Sequence, residues 1–203
     1  MNWQLFSGFL LITVVLLLTP GPIVTLVIST SATRGMRAGL ITVAGTSSGN
    51  ALLLAAIALG LTWVLTHAVF LFELLRWAGA AYLVWLGVRA WRSARQPEPP
   101  ASGNGVHFWR GFVVALSNPK TLAFFTAFLP QFVDPALPAA RQLAVMCLVT
   151  VLLAAISDSC WALAAGLGRT WFLHPARARA LRRISGLTLI GGGIWLSLSR
   201  RPV

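Results

Sequence analysis

Apolar runs of helical length, separated by short polar stretches, dominate the chain. The runs cover Gln4–Ser29, Gly39–Leu65, Val69–Ala90, Gly111–Val133, Leu143–Leu167 and Ile184–Leu198. A helix needs about 20 mostly apolar residues to span the hydrocarbon core of a bilayer. The first five runs have that length, whereas the sixth is shorter and rich in glycine. The pattern predicts an all-α integral membrane protein with six transmembrane helices.

One long polar stretch, at about residues 92–110, divides the six segments into two groups of three. Its proline- and glycine-rich composition is typical of a flexible linker. We therefore expect a single membrane transport domain over residues 1–203, with halves at about 1–91 and 111–203.

Short similarities relate the two halves to each other. They pair Thr19-Pro20-Gly21-Pro22 with Asn118-Pro119-Lys120, Asn50 with Asp158, and Gly79-Ala80-Ala81 with Ser185-Gly186-Leu187. Because each half holds three helices, the second half enters the membrane from the opposite side. The sequence thus predicts two inverted three-helix repeats, the plan of many secondary transporters, with proline-broken first and fourth helices.

Composition and charge exclude several other classes of protein. Hydrophobic residues make up 57% of the chain and charged residues 10%, whereas a soluble domain has about 25% charged residues. The basic residues behind the net charge of +12 lie between apolar runs, so they indicate topology rather than nucleic-acid binding. Three basic clusters fall on one side of a six-span arrangement, which places the linker in the cytoplasm and both termini outside. No Lys or Arg occurs in Met1–Leu18, so we expect this stretch to remain as the first membrane helix.

Metal, cofactor and catalytic motifs are not visible in the sequence. The histidines are scattered near segment ends. Cys147 and Cys160 fall on one predicted helix, about 20 Å apart and too far for a disulfide, and we interpret both as small buried hydrophobic residues. No nucleophile–base pair or phosphate-binding loop is present, so we expect neither a cofactor nor an enzyme.

Two proline motifs predict breaks within the first and fourth segments. In Thr19-Pro20-Gly21-Pro22, the prolines remove backbone donors and Gly21 adds backbone freedom. Freed carbonyls are costly in hydrocarbon, so this break is expected to face protein or water. In Asn118-Pro119-Lys120, Asn118 suits an N-cap and Pro119 the first helical turn, so a helix restarts with its positive dipole end exposed. Lys120 either adds a cation to this site or extends to the membrane interface.

Two further polar residues lie deep within apolar segments. Asp158 has no basic neighbour along its predicted helix, and a carboxylate there needs a partner, a cation or a proton. We interpret it as a proton or amine site, the alternative being a structural hydrogen bond from the protonated acid. Asn50 either hydrogen-bonds across the bundle or contacts a substrate. The nearby Gly45 and Gly49 favour close helix packing, within one bundle or between two copies in a homodimer.

Several strings occur together in an informative order. They are Leu18-Thr19-Pro20-Gly21-Pro22, Gly49-Asn50, Ala78-Gly79-Ala80-Ala81-Tyr82-Leu83-Val84-Trp85-Leu86-Gly87, Leu116-Ser117-Asn118-Pro119-Lys120 and Phe128-Leu129-Pro130-Gln131-Phe132, with Asp158 and Trp161 following. This series resembles the LysE/RhtB family of amino-acid exporters over nearly the whole chain. The resemblance implies export of amino acids or their derivatives across a bacterial inner membrane, driven by the proton motive force. Many members of that family carry an acid where this chain has Asn50, which puts a charge-specific role there in doubt.

These observations combine into one mechanistic hypothesis. A zwitterionic amino acid binds near the midplane, with its carboxylate facing the helix restarts and its ammonium facing Asp158. Asp158 also accepts a proton during the return step. The substrate-binding or coupling residues would be Thr19, Pro20, Gly21, Pro22, Asn50, Asn118, Pro119, Lys120 and Asp158. A channel or a non-catalytic membrane subunit for another small solute is the alternative, and a channel would show no proton coupling.

Overall fold

A computed structural model describes residues 2–67, 69–93, 107–172 and 174–198, and all regular structure in these ranges is helical. The helices are α1 (Trp3–Leu18), α2 (Pro22–Arg34), α3 (Met36–His67), α4 (Val69–Ser93), α5 (His107–Leu116), α6 (Pro119–Phe128), α7 (Ala139–Leu167), α8 (Arg169–Phe172) and α9 (Pro175–Leu198). A short 3₁₀ helix, Leu129–Phe132, follows α6 directly. The all-α prediction is therefore confirmed for the described residues. Most of the predicted linker, residues 94–106, lies outside them.

Length and apolarity show which helices are suited to cross a bilayer. Within the described ranges, α3 and α7 each qualify alone, and two bent pairs, α1 with α2 and α5 with α6, qualify if each is one span. This criterion gives two to four spans, so the six-span arrangement stays a prediction. The apolar run Ile184–Leu198 is only the second part of α9, because the helix begins earlier, at Pro175, within a basic stretch.

Both predicted helix breaks are present. The residue before a proline is pushed out of the helical region, and Thr19 and Asn118 are both extended, with ψ of 118° and 106°. Helices α2 and α6 then begin at Pro22 and Pro119, where a missing N–H removes no helical hydrogen bond. The chain bends by 45° at the first break and by 42° at the second.

Glycines allow two helix pairs to approach closely. Gly45 and Gly49 on α3 face the backbone of α5, where an added Cβ would overlap the carbonyl oxygens of Phe108 and Phe112. Gly87 on α4 faces α9, where a Cβ would lie 2.6 Å from the Gly186 carbonyl oxygen. Small residues are typical of membrane helix contacts, since backbones then pack directly. The Gly45–Gly49 pair thus packs within one bundle, and a homodimer stays a prediction without its support.

Large apolar side chains cover the outer faces of the long helices. Leu59 on α3 is 75% exposed, and Leu148 and Ile156 on α7 are 61% and 62% exposed. A soluble monomer rarely exposes such continuous apolar surface, whereas a bilayer solvates it. Cys147 is buried as predicted, but the prediction for Cys160 is wrong, because its side chain is exposed on the same helix. A weakly polar thiol can face lipid as readily as it can face a protein core.

Candidate functional site

The two helix breaks meet at a small polar cavity of about 40 Å³. Six of the predicted site residues line it: Thr19, Gly21, Asn50, Asn118, Lys120 and Asp158. The remaining three, Pro20, Pro22 and Pro119, do not line the cavity but set the breaks that form it. Residues separated widely in sequence therefore come together at the point where the chain leaves helical geometry.

Lys120 joins the second break to the first. Its side chain is only 7% exposed, and its ammonium donates hydrogen bonds to the carbonyl oxygens of Leu16, at 2.9 Å, and Thr19, at 2.7 Å. The Leu16 carbonyl would normally accept from the residue four positions on, but Pro20 has no N–H. From the backbone, the Leu16 carbonyl accepts the Thr19 N–H at 3.2 Å. Lys120 supplies a further donor and places a positive charge at the negative end of the α1 dipole. The side chain therefore does not extend to the membrane interface.

Asn118 caps helix α6. Its side-chain oxygen accepts from the Lys120 backbone N–H at 3.1 Å, and its amide nitrogen donates to the Thr121 hydroxyl at 2.8 Å. Both polar ends of the amide are thereby used within the first turn of the helix. By contrast, no described side chain caps the N-terminus of α2, which begins after Gly21. The α2 terminus is thus the freer of the two for an anionic group.

Asp158 lies on α7 and is 4% exposed. The Thr46 hydroxyl on α3 approaches its Oδ2 at 3.4 Å and also donates to the Val43 carbonyl at 3.0 Å. Asp158 and Lys120 line the same cavity, but the ammonium donates to the α1 carbonyls and not to this carboxylate. Because both side chains are buried, their opposite charges attract each other more strongly than they would in water.

Asn50 is the polar side chain of the cavity with an unused acceptor. It is 5% exposed, and its Oδ1 has no hydrogen-bond partner within the described residues. A buried amide oxygen without a donor costs about 1–3 kcal/mol, so the site favours a group that brings an N–H or O–H to it. The sequence left two roles open for Asn50, a hydrogen bond across the bundle or contact with a substrate. Its oxygen forms no hydrogen bond across the bundle to a described residue in this conformation.

Three threonines that the sequence analysis did not predict as site residues belong to the site. Two of them line the cavity, and the third, Thr46, approaches Asp158. Thr46 lies one helical turn before Asn50 on α3, so both share one face of that helix. Thr121 and Thr150 line the cavity itself. Helical spacing from Asn50 could have identified Thr46, but threonine is common in apolar helices and carries little signal alone.

The size of the cavity indicates whether a substrate fits in this conformation of the protein. A water molecule occupies about 30 Å³ of liquid, so about 40 Å³ has room for few waters. Pockets that bind small organic ligands usually measure about 300–1,000 Å³. The cavity is therefore too small in this conformation for an amino acid, and the residues that line it have to move to admit one.

Comparison with known proteins supports one family. Residues 14–200 match the LysE type translocator family. The homoserine/homoserine lactone efflux protein of Salmonella typhimurium is 29% identical, over 98% of this chain and 99% of that protein. The cysteine/O-acetylserine efflux protein of Escherichia coli O139:H28 is 36% identical, over 87% and 90%. No solved structure matches the chain. The chain therefore belongs to the LysE type translocator family, whose members are transporters and not enzymes.

Proposed function

We propose that this protein is a secondary transporter that exports amino acids or amino-acid derivatives from the cytoplasm across the bacterial inner membrane. The observation that carries the proposal is the polar cavity at the two helix breaks, where Lys120, Asp158 and Asn50 are buried together. The efflux functions named for the relatives, with homoserine and with cysteine or O-acetylserine, support the same substrate class.

The proposed architecture is six transmembrane helices in two inverted repeats. The order of elements supports it, because a bent pair followed by long helices occurs twice: α1–α2 with α3 and α4, then α5–α6 with α7 and α9. In this arrangement residues 1–91 and 111–203 form the halves of one domain, the linker is cytoplasmic and both termini lie outside. Discontinuous helices that meet at the midplane are the usual location of substrate sites in inverted-repeat transporters.

The charges of the cavity suit a zwitterion. The ammonium of the substrate faces Asp158 and the unpartnered Asn50 oxygen. Its carboxylate faces the N-terminus of α2, which follows Thr19, Pro20 and Gly21, begins at Pro22 and has no side-chain cap within the described residues, and the restart of α6 at Asn118 and Pro119. We place the proton-coupling step at Asp158, which is deprotonated when it holds the ammonium and protonated on return. Proton entry would then drive export against the amino-acid gradient.

An export assay in bacteria tests this function. An exporter-deficient bacterium expressing the protein is challenged in turn with toxic amino acids and their dipeptides, while amino acids outside the cells are quantified. Export predicts selective resistance with matching external accumulation. Absence of resistance to any of them, with the protein shown to be in the membrane, would contradict the proposal.

The Asp158→Asn variant tests the coupling step, with Asp134→Asn as its matched control. Asp134 is partly buried outside the cavity, where it accepts from Asn2 at 3.3 Å, so its neutralisation leaves the site intact. We expect Asp158→Asn to abolish proton-driven export and Asp134→Asn to retain it. Export by Asp158→Asn at the normal rate, with normal proton coupling, would show that the assignment of Asp158 is wrong.

A further inference from the structure

Lys120 is the only lysine in the sequence, and every other residue among the 16 Lys and Arg is arginine. Among the described residues, three of these cations, Lys120, Arg169 and Arg177, donate to carbonyls at the C-terminal end of a helix. On an exposed surface Arg169 donates to the carbonyls of Ala32 and Thr33 at the end of α2. Inside the cavity Lys120 binds the carbonyls at the end of α1. A compact primary ammonium thus occurs at the one place where an amino-acid substrate is proposed to bind.

The cavity offers oxygen acceptors of the kind that a primary ammonium requires. The carbonyl oxygens of Leu16 and Thr19 hold the Lys120 ammonium now. The Oδ1 of Asn50 and the carboxylate of Asp158 lie in the same cavity wall, and Asn50 Oδ1 has no partner within the described residues. The ammonium of lysine is a compact cation with three N–H donors, whereas the guanidinium of arginine is a wider, planar group. Broken-helix carbonyls commonly coordinate cations in transporters of this architecture.

The cavity is too small to hold the Lys120 ammonium and a substrate ammonium together. A volume of about 40 Å³ does not accept an amino acid beside the Lys120 side chain. A substrate whose ammonium reaches Leu16 and Thr19 must therefore move the Lys120 ammonium away from them. The Lys120 ammonium ends a flexible side chain, so it can leave these carbonyls while Asp158 and Asn50 face the substrate ammonium as proposed above.

We infer that Lys120 is a tethered substitute for the substrate ammonium: it occupies the acceptor site at Leu16 and Thr19 between transport events, and the α-ammonium of the amino acid displaces it. This inference rests on the proposed export function. It gives Lys120 a defined role, because without it the Leu16 carbonyl would keep only the Thr19 N–H at 3.2 Å, and the Thr19 carbonyl would have no donor within the described residues. With Lys120 bound, the substrate-free carrier can close and return.

Removing the ammonium should separate net export from exchange. In Lys120→Met the substrate-free carrier loses both ammonium hydrogen bonds to the Leu16 and Thr19 carbonyls, so its return is slowed. In exchange the carrier reorients only with a substrate ammonium in the site, so this step does not require the Lys120 ammonium at Leu16 and Thr19. The full-length protein in proteoliposomes is assayed with radiolabelled homoserine, for net efflux and for homoserine–homoserine exchange. Arg141→Met, which removes an exposed cation on α7, is the control.

We expect net efflux in Lys120→Met to fall by about tenfold or more, the size of one coupling interaction. Because Lys120 lines the cavity, exchange can also fall, but much less than net efflux, so we expect the ratio of exchange to net efflux to rise by about tenfold. Equal loss of both modes, or full retention of net efflux, would overturn the inference while leaving the proposed function in place. Wild-type protein that exports none of the amino acids in the bacterial assay above would instead contradict the export function, and this inference with it.

A second measurement uses the wild-type protein and so avoids any effect of substitution on folding. Because the chain has a single lysine, lysine enriched with ¹³C at Cε gives one lysine signal in the purified protein. Displacement predicts that saturating homoserine shifts this signal, and that N-acetylhomoserine, which lacks the ammonium, does not. A signal that homoserine leaves unchanged, in protein that exchanges homoserine, would also overturn the inference.

Discussion

Gly21 and Lys120 share the space between the two helix breaks: a Cβ added to Gly21 would lie 3.0 Å from Lys120 Cδ and 3.4 Å from its Nζ. The backbone of Gly21 is extended, with φ of −134° and ψ of −168°, a conformation that any residue adopts. The glycine is therefore required because a side chain would not fit. The sequence had suggested a different reason, backbone freedom at the helix break. Its missing side chain lets Lys120 reach the carbonyls of Leu16 and Thr19.

Gly21→Ala should disturb Lys120 without straining the backbone. The added methyl group pushes on the flexible end of the lysine, so overpacking should cost near the lower end of about 1–3 kcal/mol. Each 1.4 kcal/mol corresponds to about tenfold in an equilibrium, so we expect net export to fall several-fold. The measurement is net efflux from proteoliposomes of the amino acid that the bacterial export assay identifies.

Gly60→Ala is the matched control, since a Cβ at Gly60 on α3 meets nothing within 4 Å. It should leave export unchanged. Export by Gly21→Ala equal to that of the control would show that the fit between Gly21 and Lys120 does not matter for transport.

Thr46→Val tests the only side-chain hydrogen bond that a described residue gives to Asp158. Valine keeps the shape of threonine and removes the hydroxyl. Hydrogen bonds to charged groups contribute about 1.5–3 kcal/mol, and the 3.4 Å separation places this one at or below the lower end. We therefore expect net export to fall several-fold while thermal stability in detergent changes little.

The control for this substitution is Ser48→Ala on the same helix, where the exposed hydroxyl donates only to the Ala44 carbonyl. Thr46→Val that exports as well as Ser48→Ala would show that Asp158 works without the Thr46 hydroxyl. A large loss of stability in Thr46→Val would assign the hydroxyl a structural role instead.

The helix breaks could be predicted from the sequence because their cause is local. Proline at positions 20, 22 and 119 removes an N–H and constrains the preceding residue, whatever the rest of the chain does. Asp158 and Asn50 could be singled out for a similar reason, since a polar group in an apolar segment is costly wherever it lies.

The partners of these groups could not be predicted, because they depend on tertiary contacts. The lysine bonds to Leu16, an apolar residue whose carbonyl, not its side chain, belongs to the site. No pattern of side chains indicates such a contact. The beginning of α9 at Pro175 was missed because a search for apolar runs does not detect a helix that continues into a basic stretch. The exposure of Cys160 likewise depends on which face of α7 meets the neighbouring helices.

Gly49→Ala should destabilise the contact between α3 and α5. The new Cβ would lie 2.5 Å from the Phe112 carbonyl oxygen and 2.9 Å from Ala115 Cβ, so backbone has to move. Overpacking of this kind costs about 1–3 kcal/mol or more. Gly60→Ala on the same helix should act in the opposite direction, because alanine is favoured over glycine by about 1 kcal/mol in a helix interior.

Thermal unfolding in detergent checks both glycine variants of α3. We expect the midpoint to fall for Gly49→Ala and to stay level or rise for Gly60→Ala. A midpoint for Gly49→Ala at or above the wild-type value would mean that α3 and α5 are not in direct backbone contact.

Two substitutions at Asn118 distinguish a helix-capping role from a substrate-binding role. Asn118→Ala removes the acceptor of the Lys120 N–H and the donor to Thr121, and loss of an N-cap costs about 0.5–2 kcal/mol. Asn118→Ser keeps an acceptor of the right length for the cap but lacks the amide. Because both ends of the amide are used within α6, we expect serine to restore most of the stability and the net export that alanine loses. If Asn118→Ser restored stability but not export, the helix cap would be intact and transport would still require the asparagine amide. That result would show that the amide itself contacts the substrate.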